Sequence, residues 1–96
     1  MKWKIEKLQK GETFETSEKG NSMTPKIKSG QKHLLAPVKK WEDCNVDDIV
    51  YCKVHGRMFT HLVKAKNDVQ GLQIGNNHGH INGWTKQVYG KVIEVL

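Results

Sequence analysis

Along this chain apolar residues recur in short runs of two-residue period, each interrupted by glycine, proline or a polar pair. Asp48-Ile49-Val50-Tyr51-Cys52-Lys53-Val54 is the clearest, a β-branched and aromatic run that predicts a strand. His55-Gly56-Arg57 is a tight reversal, and Met58 to Ala65 returns as its hairpin partner. His33-Leu34-Leu35-Ala36-Pro37-Val38 reads as a buried strand whose Pro37 marks an end or an edge. Val69 to Ile74 alternates again, and Gln87 to Leu96 makes a last strand. At the N-terminus Trp3 and Ile5 alternate with Lys2, Lys4 and Glu6, which predicts a strand within residues 1–12, with a helix as the alternative. Thr13 to Thr16 is a second short extended piece. Residues 39–47 read as a polar connection and 75–83 as a loop of glycine, asparagine and histidine. Short strands at this spacing predict one all-β domain over residues 1–96, a coiled sheet or partly open barrel with one short helical turn.

That helical turn falls in the most punctuated segment, Gly20-Asn21-Ser22-Met23-Thr24-Pro25-Lys26-Ile27. Met23 and Ile27 are four apart, so one turn can tuck both under the sheet. Gly20 permits close backbone approach, and Pro25 biases Thr24 toward an extended conformation, so the Ser22 hydroxyl can be held at a defined angle. The same residue types also make ordinary turns. A nucleophile is therefore one use of Ser22 and a plain turn serine the other.

Composition narrows the class. Hydrophobic residues are 36% of the chain and the mean hydropathy is -0.66, the balance of a polar, soluble domain. No run approaches a membrane span and no signal-peptide core follows Met1, so a cytoplasmic protein is expected. Cys44 and Cys52 form no CxxC pair and read as two reduced thiols. The net charge of +6 is spread along the chain, with Arg57 the single arginine. This describes a solvated basic surface and argues against a nucleic-acid partner. His78-Gly79-His80, with His33 or His55, lacks the ligand set of a recognisable zinc motif. No metal and no cofactor is expected. The scattered aromatic residues Trp3, Trp41, Trp84, Tyr51 and Tyr89 read as packing.

Taken in order, these pieces resemble the catalytic domain shared by type I signal peptidases and the self-cleaving LexA-type SOS repressors. Gly20-Asn21-Ser22-Met23-Thr24-Pro25 resembles the family's Gly-x-Ser-Met-x-Pro box. The segment from Pro25 to Leu35 resembles the strand that follows it, with Gln31 where an Asp is usual. Val46 to Tyr51 resembles the Gly-Asp-Ile-Val strand, and Phe59-Thr60-His61-Leu62-Val63 the strand that carries the general base. Gly75-Asn76-Asn77 and Tyr89-Gly90-Lys91-Val92 are similar to the closing boxes. The likeness covers roughly residues 13–96, and every gap between matches is a plausible loop length.

The resemblance implies that Ser22 is the nucleophile and His61 the general base, in the position that other members fill with Lys or His. Imidazole titrates near neutrality and can take the serine proton without the desolvation a lysine would need. Lys64, three residues on, is the fallback base, expected on the opposite face of the strand. The backbone amides of Asn21 and Ser22 would form the oxyanion hole. Gly20 stands where many signal peptidases place a helping serine, which makes the box closer to the repressor version. Met23, Pro25 and Thr60 would line the substrate groove, and small residues would be favoured before the cut bond. Residues 75–83 contain no Asp or Glu to orient the imidazole, which leaves Asn76, Asn77 or Asn82 for that role. The expected function is that of a small serine endopeptidase acting on an extended peptide or protein substrate. The missing carboxylate supports an alternative, a weakly active or inactive member that binds peptides or proteins. A compact form without anchor or DNA-binding domain suggests a phage-encoded protein; the oligomeric state stays open.

Overall fold

A computed structural model describes residues 2–96. It is mainly β, with seven strands in one antiparallel sheet that does not close into a barrel. In chain order the elements are helix α1 (Lys2–Gln9), β1 (Phe14–Thr16), β2 (His33–Pro37), a 3-10 turn (Trp41–Asp43), β3 (Ile49–Val54), β4 (Arg57–Asn67), β5 (Gly71–Gly75), β6 (Ile81–Thr85) and β7 (Val88–Val95). Across the sheet the order is β1-β2-β7-β3-β4-β5-β6, and every neighbouring pair is antiparallel. The sheet coils until the end of β6 returns to β3. There the Thr85 hydroxyl donates to the Lys53 carbonyl at 2.6 Å, and the Lys53 amide donates to Gln87 at 2.9 Å.

Two expectations need correction. Residues 2–9 are helical, not a strand; Met1 lies outside the described residues. The Trp3/Ile5 alternation is overruled by Leu8, which is 3% exposed and packs with Leu35 and Tyr51. Lys4 and Leu8 are both buried while Glu6 between them is exposed; a strand would turn all three to one side, whereas a helix brings together only the pair four apart. The second correction concerns residues 75–83, where β6 begins at Ile81 and leaves a shorter loop. Asn82 and Gly83 have low strand propensity, but the Ile81–Gly75 and Gly83–Ile74 pairs with β5 keep this stretch in the strand.

Three apolar clusters fill the interior. The largest joins Val50, Cys52, Val54, Val63, Leu72 and Ile74 with Cys44 and Val88. Leu8, Leu35 and Tyr51 seat α1 on the sheet. The third, Met23, Ile27 and Leu62, fastens the Ser22 turn to β4. As expected from their spacing, Met23 and Ile27 are buried on one helical turn, closed by the Ile27 amide donating to Met23 at 3.0 Å.

Candidate active site

Hydrophobic packing brings the two ends of the site together. Leu62, next to His61 on β4, packs against Met23, next to Ser22 in the turn. Burial of the two apolar side chains therefore carries their polar neighbours into contact. The Ser22 Oγ to His61 Nε2 distance is 3.1 Å, and His61 Nδ1 lies 2.7 Å from Asn82 Oδ1. A carbonyl oxygen only accepts, so Nδ1–H donates to Asn82, and the Nε2 lone pair is left to accept the Ser22 hydroxyl. The result is a Ser22–His61–Asn82 relay with the imidazole in the tautomer a general base requires.

Asn82 reaches His61 through an irregularity of the sheet. Ile74 pairs with Gly83 and Gly75 with Ile81, so Asn82 is the extra residue of a bulge on β6. Bulges re-aim side chains, and this one turns Asn82 toward the imidazole. Gly75 makes room between the strands: a Cβ there would sit 2.6 Å from the His80 carbonyl.

His61 is 8% exposed and stacks beside Phe59, with ring centroids 5.0 Å apart. Burial lowers its pKa below the ordinary histidine value because charging the ring costs solvation. The Asn82 hydrogen bond and the Glu18 carboxylate oppose that shift, and His80 adds to it. Neutral imidazole, the form able to accept a proton, is thus favoured at physiological pH.

The Ser22 turn is tied on several sides. Gly20 enters it at φ 121°, a conformation that favours glycine, and its amide donates to Ser29 Oγ at 3.0 Å. The Gly30 amide donates to Glu18 at 2.8 Å and closes the loop at its base. Beside Ser22 opens a cleft of about 140 Å³ walled by Met23, Ile27, Met58, Phe59 and Thr60, with Glu18 among its charged residues.

The other expected positions divide. Met23 and Thr60 line the cleft; Pro25 does not. It is exposed, because the turn that buries Met23 and Ile27 puts the residue midway between them on the opposite side. Asn76 and Asn77 do not orient the imidazole. Asn76 Oδ1 accepts the amides of His78 and His80 at 2.8 and 3.0 Å and braces its own loop. The Asn77 amide donates to the Ser22 carbonyl at 2.8 Å, and its side chain donates to Thr24 at 2.9 Å. Asn77 thus holds the Ser22 turn and Asn76 its own loop, and neither is a hydrogen-bond partner of His61. Lys64 is the bulged residue of β4, between the Val63–Ile74 and Ala65–Gln73 pairs, and its stem passes beside Gly75. Among the described residues it has no hydrogen bond to Ser22, whose partner is His61. Neither the Asn21 nor the Ser22 amide, among the described residues, donates to another protein group, so both are free to meet a ligand oxygen.

His78, met in the sequence only as a possible ligand of a metal, belongs to this site. Its Nε2 lies 2.8 Å from the Asn21 carbonyl and 3.0 Å from Thr24 Oγ1. Nothing in its local sequence pattern signals this, because the contact spans more than fifty positions. Among the described residues, no three His, Cys, Asp or Glu side chains converge as a metal site would need.

Comparison with protein-family models, curated proteins and solved structures finds no match for the chain.

Proposed function

We propose that this protein is a small serine endopeptidase of the signal-peptidase/LexA-like kind, cutting an extended peptide with Ser22 as nucleophile and His61 as general base. The observation that carries the reading is the relay itself, 3.1 Å from Ser22 Oγ to His61 Nε2 and 2.7 Å from Nδ1 to Asn82. As Oγ attacks the scissile carbonyl carbon, its proton passes to Nε2. The tetrahedral oxyanion is met by the Ser22 and Asn21 amides. Its collapse breaks the C–N bond, with imidazolium returning the proton to the leaving amine; water then releases the acyl group by the same steps.

The substrate has an edge to pair with. β5 pairs with β4 only from Leu62 onward, so the side of Met58–Thr60 facing away from β3 carries no strand. A peptide added there by β-augmentation would run past Ser22. No helix among the described residues is long and apolar enough to cross a membrane. Cys44 and Cys52 are both free and buried, which supports a reducing, cytoplasmic setting.

The test is labelling with a serine-directed fluorophosphonate. The reading expects one adduct, at Ser22, lost in Ser22→Ala and much slowed in His61→Ala. An unlabelled wild-type protein, or equal labelling of Ser22→Ala, refutes it.

A second reading rests on Asn82. A neutral amide fixes the tautomer but brings no charge to stabilise imidazolium, so turnover should be slower than with a carboxylate. In that reading the cleft and the open β4 edge bind a peptide or protein without cutting it. Tight peptide binding by a protein that resists the phosphonate would favour it.

A further inference from the structure

The Asn21–Ser22 peptide is held by its carbonyl alone. Three donors converge on the Asn21 oxygen: His78 Nε2 at 2.8 Å, Thr24 Oγ1 at 2.8 Å and the Thr24 amide at 3.2 Å. In a planar trans peptide the C=O and N–H bonds point in opposite directions, and the Asn21–Ser22 bond is trans. Pinning the Asn21 oxygen therefore fixes where the Ser22 N–H points, away from the 76–80 loop. That N–H is the one expected to meet the oxyanion.

The two Thr24 contacts are local to the turn and form with it. His78 is different, since it arrives from the loop between β5 and β6, the loop that leads directly into Asn82. Asn76 braces that loop from inside. Asn77, beside His78, clamps the next peptide by donating to the Ser22 carbonyl. One short segment thus orients the base through Asn82 and sets the nucleophile's own backbone through Asn77 and His78.

We propose that His78 is a positioning residue for the oxyanion-binding amide of Ser22, acting through the Asn21 carbonyl. The inference rests on the peptidase reading above. With Nε2 protonated, His78 shares that hydrogen between the Asn21 oxygen and Thr24 Oγ1 and leaves the Thr24 hydroxyl to donate to Asn21. A glutamine can place an amide N–H near the same point, whereas alanine cannot.

The experiment compares the full-length wild type with His78→Ala and His78→Gln by two readouts. The first is the kinetics of phosphonate labelling at Ser22. His78→Ala should lower the bond-forming rate constant about 10-fold, less than the 10²–10³ typical of deleting an oxyanion donor outright. Affinity for the reagent should be nearly unchanged, and His78→Gln should recover most of the rate. The His61 ring titration, followed by NMR, should stay where it is, because His78 makes no contact with that ring. The second readout is amide hydrogen exchange. Ser22 and its neighbours should exchange faster in His78→Ala and return toward wild type in His78→Gln. His78 is exposed, so overall urea stability should change little. Equal labelling and equal exchange in wild type and His78→Ala would overturn the proposal, as would a glutamine variant no better than alanine. If wild-type protein takes no label, the peptidase reading is what fails, and the exchange comparison still decides whether His78 holds this peptide.

Discussion

Replacing Asn82 by Asp would convert the relay from a neutral to a charged one with almost no change of shape. The acceptor oxygen already lies 2.7 Å from His61 Nδ1, so the carboxylate needs no rearrangement to bind. A unit charge ~4 Å from the centre of imidazolium is worth about 4 kcal/mol at an effective dielectric of ~20. Asn82 is half-buried, so solvent screening and the desolvation of the new carboxylate remove roughly half of this. About 2 kcal/mol remains, or ~30-fold in an equilibrium constant. His61 should therefore hold its proton to higher pH in Asn82→Asp, reversing the downward effect of burial. The same charge stabilises the imidazolium that forms as Ser22 attacks, so at a pH where His61 is neutral the phosphonylation rate should rise a few-fold to ~30-fold. NMR titration of the His61 ring reads the first effect without any substrate, and labelling kinetics read the second. A His61 midpoint that stays put or falls in Asn82→Asp would refute the geometry on which the whole relay rests.

Further outcomes follow from other parts of the structure. Because burial lowers the His61 pKa, the unfolded chain takes up this proton first as pH falls. Its contribution to stability is full above the ordinary value of about 6.5 and is lost as pH drops through the lowered folded value. Urea unfolding from pH 7 to pH 5 should thus show wild type losing stability relative to His61→Gln; parallel curves would contradict it. Gly71 sits at φ 91°, and a Cβ there would meet the Thr85 carbonyl at 2.5 Å, so Gly71→Ala should cost about 2 kcal/mol or more in the same assay. Burial pushes the Cys44 thiol up to about 11 and Cys52 up to about 12. Alkylation at pH 8 should accordingly be at least ~100-fold slower in the folded protein than in urea, and comparable rates would show that the core around them opens freely.

Strand content was legible wherever β-branched and aromatic residues alternate between turn residues, as from Ile49 to Val54 and in its return strand through His61. Both depend on local propensity and on a two-residue period that needs no knowledge of the partner. The buried Met23/Ile27 turn was legible for the same reason, since a spacing of four defines a helical face. Helix α1 was obscured because its few apolar residues fit both periods, and the contact of Leu8 with Leu35 and Tyr51 decides between them. β6 was hidden because asparagine and glycine do not favour strands, and pairing with β5 supplies what propensity lacks.

The candidate site divides along the same line. By itself the sequence determined which groups could do chemistry: a serine in a glycine–proline turn, a histidine on a strand, and a loop with asparagines but no carboxylate. The tertiary structure decided which of them meet. Packing of Leu62 on Met23 sets Ser22 against His61, a bulge on β6 selects Asn82 over Asn76 and Asn77, and a contact across more than fifty residues brings His78 to the nucleophile turn. Chemical capacity belongs to each side chain and can be read one residue at a time. Proximity belongs to the packed chain, because the register of the sheet and the burial of its apolar pegs fix distances that no stretch of sequence contains.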